Sequence, residues 1–457
     1  MPLMLACSDI LAVLCSVTVC VLVRYALGGN FELGVYLRLW PILPLFVTAY
    51  AWAGAYKVLV PSPMELKRCT LATTFVFLLL ASVTFWSRTA HEYSRLIMFF
   101  SCVMTWILVP VLRRRCRELA ARSTAWRRPA IIYGSGTLAG TMVRNFHDHL
   151  NLGLIPMGLI DDGAGCGEED CSDIKRYGKE DVPDLAQRYP GAYFLIAKPD
   201  LNLGQYQDIL KHISRYFRKI VIAPDIFRPA SIWASVVDID GILGLETGQR
   251  LLDPLPKFYK RVIDLVFSAL GLVALSPLFA LLVILIKFDS RGPALYFQER
   301  IGRHGKRFRL WKFRTMAADA DKVLERYLAD NPTLRAEWEA GQKLAEDPRI
   351  TRVGAFLRRW SIDELPQLVN VLLGEMSLVG PRPIVESEIE RYDGRFELYA
   401  KVVPGLTGLW QVSGRSALPY EKRIELDVYY IRNWSIWFDL YILTRTPGAV
   451  FRCSGAV

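Results

Sequence analysis

Apolar residues crowd the first quarter of the chain into four stretches, at 5–27, 35–56, 71–86 and 96–112, separated by short polar segments. Each is close to the roughly 20 residues a helix needs to cross a hydrocarbon core about 30 Å thick, the third being the most marginal. The pattern predicts four transmembrane helices over 1–112. A secretory leader does not fit, because no basic segment precedes the first stretch and three more stretches follow it.

The periodicity changes after residue 112. "RRPAIIYGSGTLAGTMVRNF" reads as a short strand, a glycine turn and a helix. "MGLIDDG", "AYFLIA" and "KIVIAP" read as further buried strands between helical segments. This predicts a Rossmann-like α/β domain inside 113–250, behind a basic linker. Gly134-x-Gly136-x-x-Ala139 fits the loose dinucleotide fingerprint, with Asp161 at the end of the second strand. The same glycines would also let strand and helix simply pack closely, so a nucleotide ligand and a purely structural turn both stay open.

A third region, 251–457, begins with "KRVIDLVFSALGLVALSPLFALLVILIKF". Its apolar run is long enough to span a bilayer. Cations flank both ends, however (Lys257, Lys260 and Arg261 before; Lys287 and Arg291 after), and Ser276-Pro277 stands in the middle. Pro277 removes one helical hydrogen bond, and the Ser276 hydroxyl can satisfy the carbonyl that is freed. A bent, re-entrant helix over about 262–287 is predicted; a kinked spanning helix is the alternative. Near the end, "DVYYIRNWSIWFDLYIL" offers aromatic residues suited either to the headgroup layer or to an ordinary core.

Composition sharpens this picture. The chain has 457 residues, 52% of them apolar, a mean hydropathy of +0.22 and a net charge of +11. A protein confined to water is thereby disfavoured. The basic balance points to anionic lipid or a phosphorylated substrate, since nothing resembles a nucleic-acid-binding module. Cations concentrate in "RRRCRELAARSTAWRR" (113–128) and at Lys57, Lys67 and Arg68. The positive-inside bias then puts both termini and all that follows residue 113 in the cytosol. Nine cysteines include no C-x-x-C, and a Cys166/Cys171 ligand pair is a minor possibility beside a reducing compartment. Five histidines disfavour a histidine-rich metal site, and His147-x-His149 reads as polar helix surface.

Chemistry concentrates in "SIDELPQLVNVLLGEMSLVGPRP" (361–383). On a helix, adjacent Asp363 and Glu364 would point about 100° apart. They could then divide labour, one attacking while the other holds a divalent cation. A plain helix start, with Ser361 as N-cap and Glu364 completing a capping box, is the bland alternative. Arg358, Arg382 and Arg415 surround the pair with guanidinium forks suited to phosphate. "QERIGRHGKRFRLWKFRTM" adds Gln298, Arg300, Arg303, Lys312 and Arg314 on an extended segment, some of them necessarily surface or headgroup contacts.

"PALYFQERIG", "KFRTM", "SIDELPQLVNVLLGEMSLVGPRP" and "PGLTGLWQVSGR", in this order over about 255–457, resemble the monotopic polyprenyl-phosphate hexose-1-phosphate transferases. The apolar N-terminus and glycine-loop domain resemble the long form of that family. "DPRITRVGAFLRRWSIDELPQL" and "RNWSIWFDL" are similar to its undecaprenyl-phosphate galactose phosphotransferases of O-antigen and capsule assembly. The resemblance implies a membrane protein with a four-helix transmembrane bundle, a Rossmann-like domain and a mainly α catalytic domain on a re-entrant helix broken at Ser276-Pro277. It implies that Asp363 attacks the β-phosphate of a UDP-sugar, releasing UMP, and that Glu364 holds Mg2+. Arg358, Arg382 and Arg415, with Lys312 and Arg314 alongside, would bind phosphates, and undecaprenyl phosphate would be the acceptor. A bacterial cytoplasmic membrane location and a homodimer are also expected. Galactose over glucose rests on the resemblance alone, since no residue here reads out the C4 hydroxyl.

Two rivals remain at this stage. A UDP-releasing glycosyltransferase would use an Asp-x-Asp, for which Asp319-Ala-Asp321 and Asp238-Ile-Asp240 qualify by pattern. A non-catalytic scaffold or sensor would leave the four motifs unexplained.

Overall fold

A computed structural model describes residues 2–28, 33–37, 40–57, 59–87, 93–121, 127–134, 136–148, 150–160, 174–198, 203–223, 235–239, 242–246, 251, 253–317, 320–330, 347–415 and 418–451. The chain divides into two compact units, 1–228 and 229–457. Asp161, Cys166, Cys171, His149, Asp240 and Asp319 lie outside the described residues, so one member of each Asp-x-Asp is not described. The described cysteines are free, and His147 is exposed.

The first unit opens with α1 (Pro2–Ala26), α2 (Leu33–Leu37), α3 (Leu43–Trp52), α4 (Ser62–Trp86) and α5 (Arg95–Ala120). Of these, α1, α4 and α5 are long and apolar enough to cross a membrane. The second predicted span is corrected: 35–56 is a short helix, a 3-10 turn over Trp40–Ile42 and then α3. Pro41 and Pro44 explain the interruption, because each lacks an N–H for the helical ladder. Ten residues of α3 rise only about 15 Å, half a hydrocarbon core. The bundle is therefore three full-length helices with a broken fourth, packed around Val13, Phe46, Tyr50, Val76 and Val109. Helix α5 also runs on through the basic stretch. Arg113 is buried there, with Nε and Nη2 donating to the two Asp9 carboxylate oxygens at 2.6 Å and Nη1 donating to Glu65 at 2.9 Å. A guanidinium survives such burial only when its donors are filled in this way.

The α/β part contains β1 (Arg128–Tyr133), α6 (Thr137–Asp148), β2 (Leu154–Ile160), β3 (Arg176–Tyr177), α7 (Val182–Arg188), β4 (Tyr193–Ile196), α8 (Leu203–Ile213) and β5 (Lys219–Ile222). Its five strands are parallel in the order β3-β2-β1-β4-β5. Alternate residues of β1 face two apolar clusters: Ala130 and Ile132 pack with α6, while Ile131 and Tyr133 pack with α7 and α8. Gly134 has φ 141°, and a Cβ there would collide with the Ala197 carbonyl. Its glycine is thus needed for the close approach of β1 and β4, whether or not a ligand binds nearby.

The second unit contains a hairpin of β6 (Ser235–Ile239) and β7 (Ile242–Glu246), then α9 (Pro254–Asp289). A second hairpin, β8 (Leu295–Ile301) with β9 (Arg307–Phe313), leads to α10 (Ala320–Asp330). There follow α11 (Arg352–Arg359), α12 (Gln367–Leu373), β10 (Ser377–Val379), α13 (Phe396–Ala400), β11 (Gly405–Thr407), α14 (Leu409–Ser413), α15 (Tyr420–Arg432) and α16 (Ile436–Phe451). Strands β10 and β11 pair in parallel.

Helix α9 is the fourth helix long and apolar enough to cross a membrane. It stays helical through Ser276-Pro277, and Ser276 Oγ donates to the Val273 carbonyl at 2.8 Å. Val273 is the residue whose carbonyl Pro277 leaves without a donor, so the expected compensation is present. Both halves of α9 are tied to the same body. In the first half, Lys260 bonds Asp439 at 2.6 Å and the Val379 carbonyl at 2.9 Å; Arg261 donates to the Val371 and Leu372 carbonyls; Asp264 accepts from the Leu378 N–H. In the second half, Leu282 and Ile286 pack on Phe313 and Leu357, and Asp289 accepts from the Val353 N–H at 3.0 Å. For three of the late aromatics the headgroup reading is corrected: Tyr430, Trp434 and Phe438 are buried with Val379 and Ile442, because α15 and α16 turn these residues inward, whereas Tyr429, Trp437 and Tyr441 are partly exposed.

Candidate active site

Helix α11 is capped by Thr351, whose Oγ1 accepts from the Gly354 N–H at 3.0 Å. Any side chain at Gly354 would run into the Thr315 carbonyl, so only glycine lets α11 lie against the Arg314–Thr315 segment. That contact brings Arg358 Nε to Thr315 Oγ1 at 2.9 Å. After α11 the chain reverses at Ser361, which has φ 54° and is left-handed, and enters a 3-10 turn over Ile362–Glu364. The capping-box alternative is thereby overturned: an N-cap serine needs extended dihedrals, and Ser361 makes no side-chain cap. A non-glycine residue held left-handed is a local cost, and such costs gather at functional sites. It presents Asp363 and Glu364 on the turn, ahead of α12.

Strand β9 supplies the opposing wall. Buried Asn370 on α12 accepts from the Trp311 N–H at 3.0 Å and donates to the Arg309 carbonyl at 2.7 Å. This clamp fixes the strand on which Lys312 sits, and Lys312 Nζ meets Glu364 Oε1 at 2.8 Å. A narrow cleft opens here, with Arg300, Lys312, Glu364, Gln367, Arg382 and Gln411 as its polar lining. The Arg382 guanidinium lies over the Trp410 ring, 5.6 Å from its centroid.

The two acids sit in different fields. Burial and then the Glu364 charge push the Asp363 carboxyl up to about 6, against Lys312 and Arg358, which favour its ionised form. Burial also opposes ionisation of Glu364, but Lys312, Arg382 and Arg415 together outweigh it and hold that carboxyl below the usual range. Arg358 is pulled below the ordinary guanidinium value by burial, although Asp363 and Asp347 oppose the shift. The result is one firmly ionised carboxylate beside one that takes up a proton near pH 6. The site thus joins Asp363, Glu364, Lys312, Arg358, Arg382 and Arg415, all named from sequence. Arg314 does not line the cleft; its Nη2 donates to the Ser290 carbonyl at 2.7 Å and the Ser290 hydroxyl at 2.8 Å, which ties the end of β9 to the end of α9. Ser276 and Pro277 belong to α9, and Gly134 and Gly136 to the other unit. Gln367 and Gln411 escaped the sequence reading, because an uncharged amide inside a motif carries no signal of its own. Nothing in the sequence singled out Arg300 among its basic neighbours.

The family described as "Bacterial sugar transferase" matches residues 255–453, which hold all of the cleft. The chain is 34% identical to the undecaprenyl-phosphate galactose phosphotransferase of Salmonella typhimurium, over 91% of this chain and 87% of that one. It is 46% identical to the exopolysaccharide production protein ExoY of Sinorhizobium fredii, over 46% of this chain and 92% of that protein. It is 36% identical to the UDP-glucose:undecaprenyl-phosphate glucose-1-phosphate transferase of Escherichia coli, over 50% of this chain and 47% of that one. With a paired-acid turn walled by cations and relatives matched along most of its length, the chain is an enzyme and belongs to the bacterial sugar transferase family.

Proposed function

We propose that this enzyme transfers galactose 1-phosphate from UDP-galactose to undecaprenyl phosphate in two displacements at Asp363, releasing UMP. The observation that carries the reading is the Asp363–Glu364 turn, with its two fields, facing a cleft walled by Lys312, Arg300 and Arg382. In the first displacement an Asp363 oxygen attacks the β-phosphorus and the bond to the bridging oxygen breaks. UMP leaves with that oxygen and its electron pair. In the second, an oxygen of undecaprenyl phosphate attacks the same phosphorus and the bond to Asp363 breaks. The carboxylate is regenerated and the sugar is left on a lipid diphosphate. One phosphoanhydride replaces another, so the exchange is close to balanced. The intermediate lets a water-soluble donor and a lipid acceptor use one site in turn.

Lys312 and Arg358, whose charges act on Asp363, keep the attacking carboxylate available near neutral pH. Mg2+ chemistry fits the donor set: Glu364 is ionised, and one or two carboxylates with substrate phosphates filling the remaining positions suit that ion, whose role would be to offset charge on the diphosphate. Among the described residues no three His, Cys, Asp or Glu side chains gather into a cage of their own.

Galactose is favoured because a relative matched over 91% of this chain and 87% of its own length is named for galactose, whereas the glucose enzyme is matched over about half. The acceptor explains the membrane helix. Both halves of α9 bind one folded body, which supports a re-entrant helix with both ends on one face. The basic loops support the cytosolic side of the bacterial cytoplasmic membrane for that face. The test is UMP against UDP release by purified protein in nanodiscs with Mg2+, UDP-galactose and undecaprenyl phosphate. UMP that disappears in Asp363→Asn supports the reading, and repetition with UDP-glucose decides the sugar. UDP would instead promote direct glycosyl transfer.

A further inference from the structure

Arg382 stands between Pro381 and Pro383, and Pro383 confines the residue before it to extended dihedrals. The buried Tyr399 hydroxyl steadies this stretch further: it accepts from the Ile384 N–H at 3.3 Å and lies 3.3 Å from the Arg382 carbonyl. The main chain is therefore fixed, and the freedom that remains belongs to the long side chain. Among the described residues the Arg382 guanidinium makes no hydrogen bond or ion pair. Yet it lines the cleft, and its charge helps hold the Glu364 carboxyl below the usual range. A guanidinium on a flexible stem keeps its charge in one place only if something holds it there.

Trp410 is in place to do so. The Gly380 N–H donates to the Thr407 carbonyl at 2.9 Å and the Gly405 N–H to the Pro381 carbonyl at 2.8 Å, which lays the Gly-Pro-Arg-Pro turn against the segment before α14. A side chain at Gly408 would run into the Gly380 carbonyl, so this approach depends on glycine. Helix α14 starts at the next residue and carries Trp410, which is 6% exposed. The Arg382 guanidinium carbon lies 5.6 Å from the centre of the Trp410 ring, and that of Arg423 lies 5.1 Å from it. Both fall within the roughly 6 Å over which the negative face of an indole attracts a cation. Arg423 is also tied elsewhere, its Nε donating to the Leu418 carbonyl at 3.0 Å. We propose that Trp410 is a positioning residue for the transfer, holding the Arg382 guanidinium over its indole so that this charge stays in the cleft. The phosphate contact of Arg382, through which Trp410 acts, rests on the two-step reading above.

The test keeps the shape of residue 410 and changes only its charge distribution. Tryptophans bearing successive fluorines, placed at position 410 of the full chain in nanodiscs, weaken the negative face of the ring without opening a cavity. The kcat/KM for UMP release from UDP-galactose, with Mg2+ and undecaprenyl phosphate, should fall stepwise along the series. The limit is the roughly three- to thirtyfold loss that goes with removal of a cation–π contact. Trp410→Phe should retain more activity than Trp410→Leu; if the latter does not fold, the fluorine series carries the comparison. The fall should persist in Arg423→Met and shrink to within about twofold in Arg382→Met, because the ring then has no guanidinium to hold in the cleft. If Arg382→Met is too slow to follow, the series in the parent and in Arg423→Met decides. A flat series, as a merely structural tryptophan would give, overturns the proposal. So does a fall that persists in Arg382→Met or vanishes in Arg423→Met. A parent enzyme that releases no UMP would contradict the two-step reading instead, and the fluorine dependence would then be read on the product it does release.

Discussion

Asp363 and Glu364 are neighbours in the chain, yet they hold their protons differently because different cations reach them. Asp363 ordinarily titrates near 3.8 and is raised to about 6. A carboxyl raised in the folded protein binds its proton more tightly there than in the unfolded chain. Its contribution to stability is therefore full below about pH 4 and lost as pH rises through about 6. Asp363→Asn should accordingly raise the unfolding temperature at pH 8 in the absence of divalent cation, and the gain should vanish below pH 4. The shift would be worth about 3 kcal/mol for a fully buried group and ~1–2 kcal/mol for one partly exposed. Thermal unfolding of the pair across pH checks this. An equal unfolding temperature at pH 8 would mean that the turn does not strain the charge.

At the scale of elements, α9 and the β8–β9 hairpin decide where the chemistry sits. The first half of α9 is fastened by Lys260, Arg261 and Asp264, the second by Leu282, Ile286 and Asp289. Single cysteines at Asp253 and Ser290, in a background lacking the native thiols, should therefore both label from the cytosolic side with an impermeant maleimide. Labelling from opposite sides would make α9 a spanning helix. Much of this was legible locally: a proline removes one identifiable hydrogen bond, so Ser276 bonding the Val273 carbonyl follows from two adjacent letters. The break in the second predicted span was also written in Pro41 and Pro44, but hydropathy weighs a proline little among its apolar neighbours. Other features depend on distant chain. The inward turn of Tyr430, Trp434 and Phe438 comes from how α15 and α16 pack, and an aromatic stripe looks the same whether it faces lipid or core. Likewise Asp363 and Glu364 stand out as a pair in the sequence, whereas the gathering of Lys312, Arg300 and Arg382 around Glu364 needs the Asn370 clamp between α12 and β9.

For the whole molecule, every residue assigned to the chemistry lies in the unit 229–457. The Sinorhizobium fredii relative is matched over 92% of its length by less than half of this chain. In the other unit Arg113 is sealed between Asp9 and Glu65, and Gly134 serves the sheet. In the proposed reaction the sugar phosphate passes through a bond to one carboxylate. The most direct measurement is peptide mass spectrometry of enzyme quenched after UDP-galactose and Mg2+ are added without lipid acceptor. A hexose phosphate on Asp363, removed when undecaprenyl phosphate is supplied and missing in Asp363→Asn, is the predicted result. An unmodified Asp363 in enzyme that nevertheless turns over the lipid, or an adduct on another residue, would contradict it.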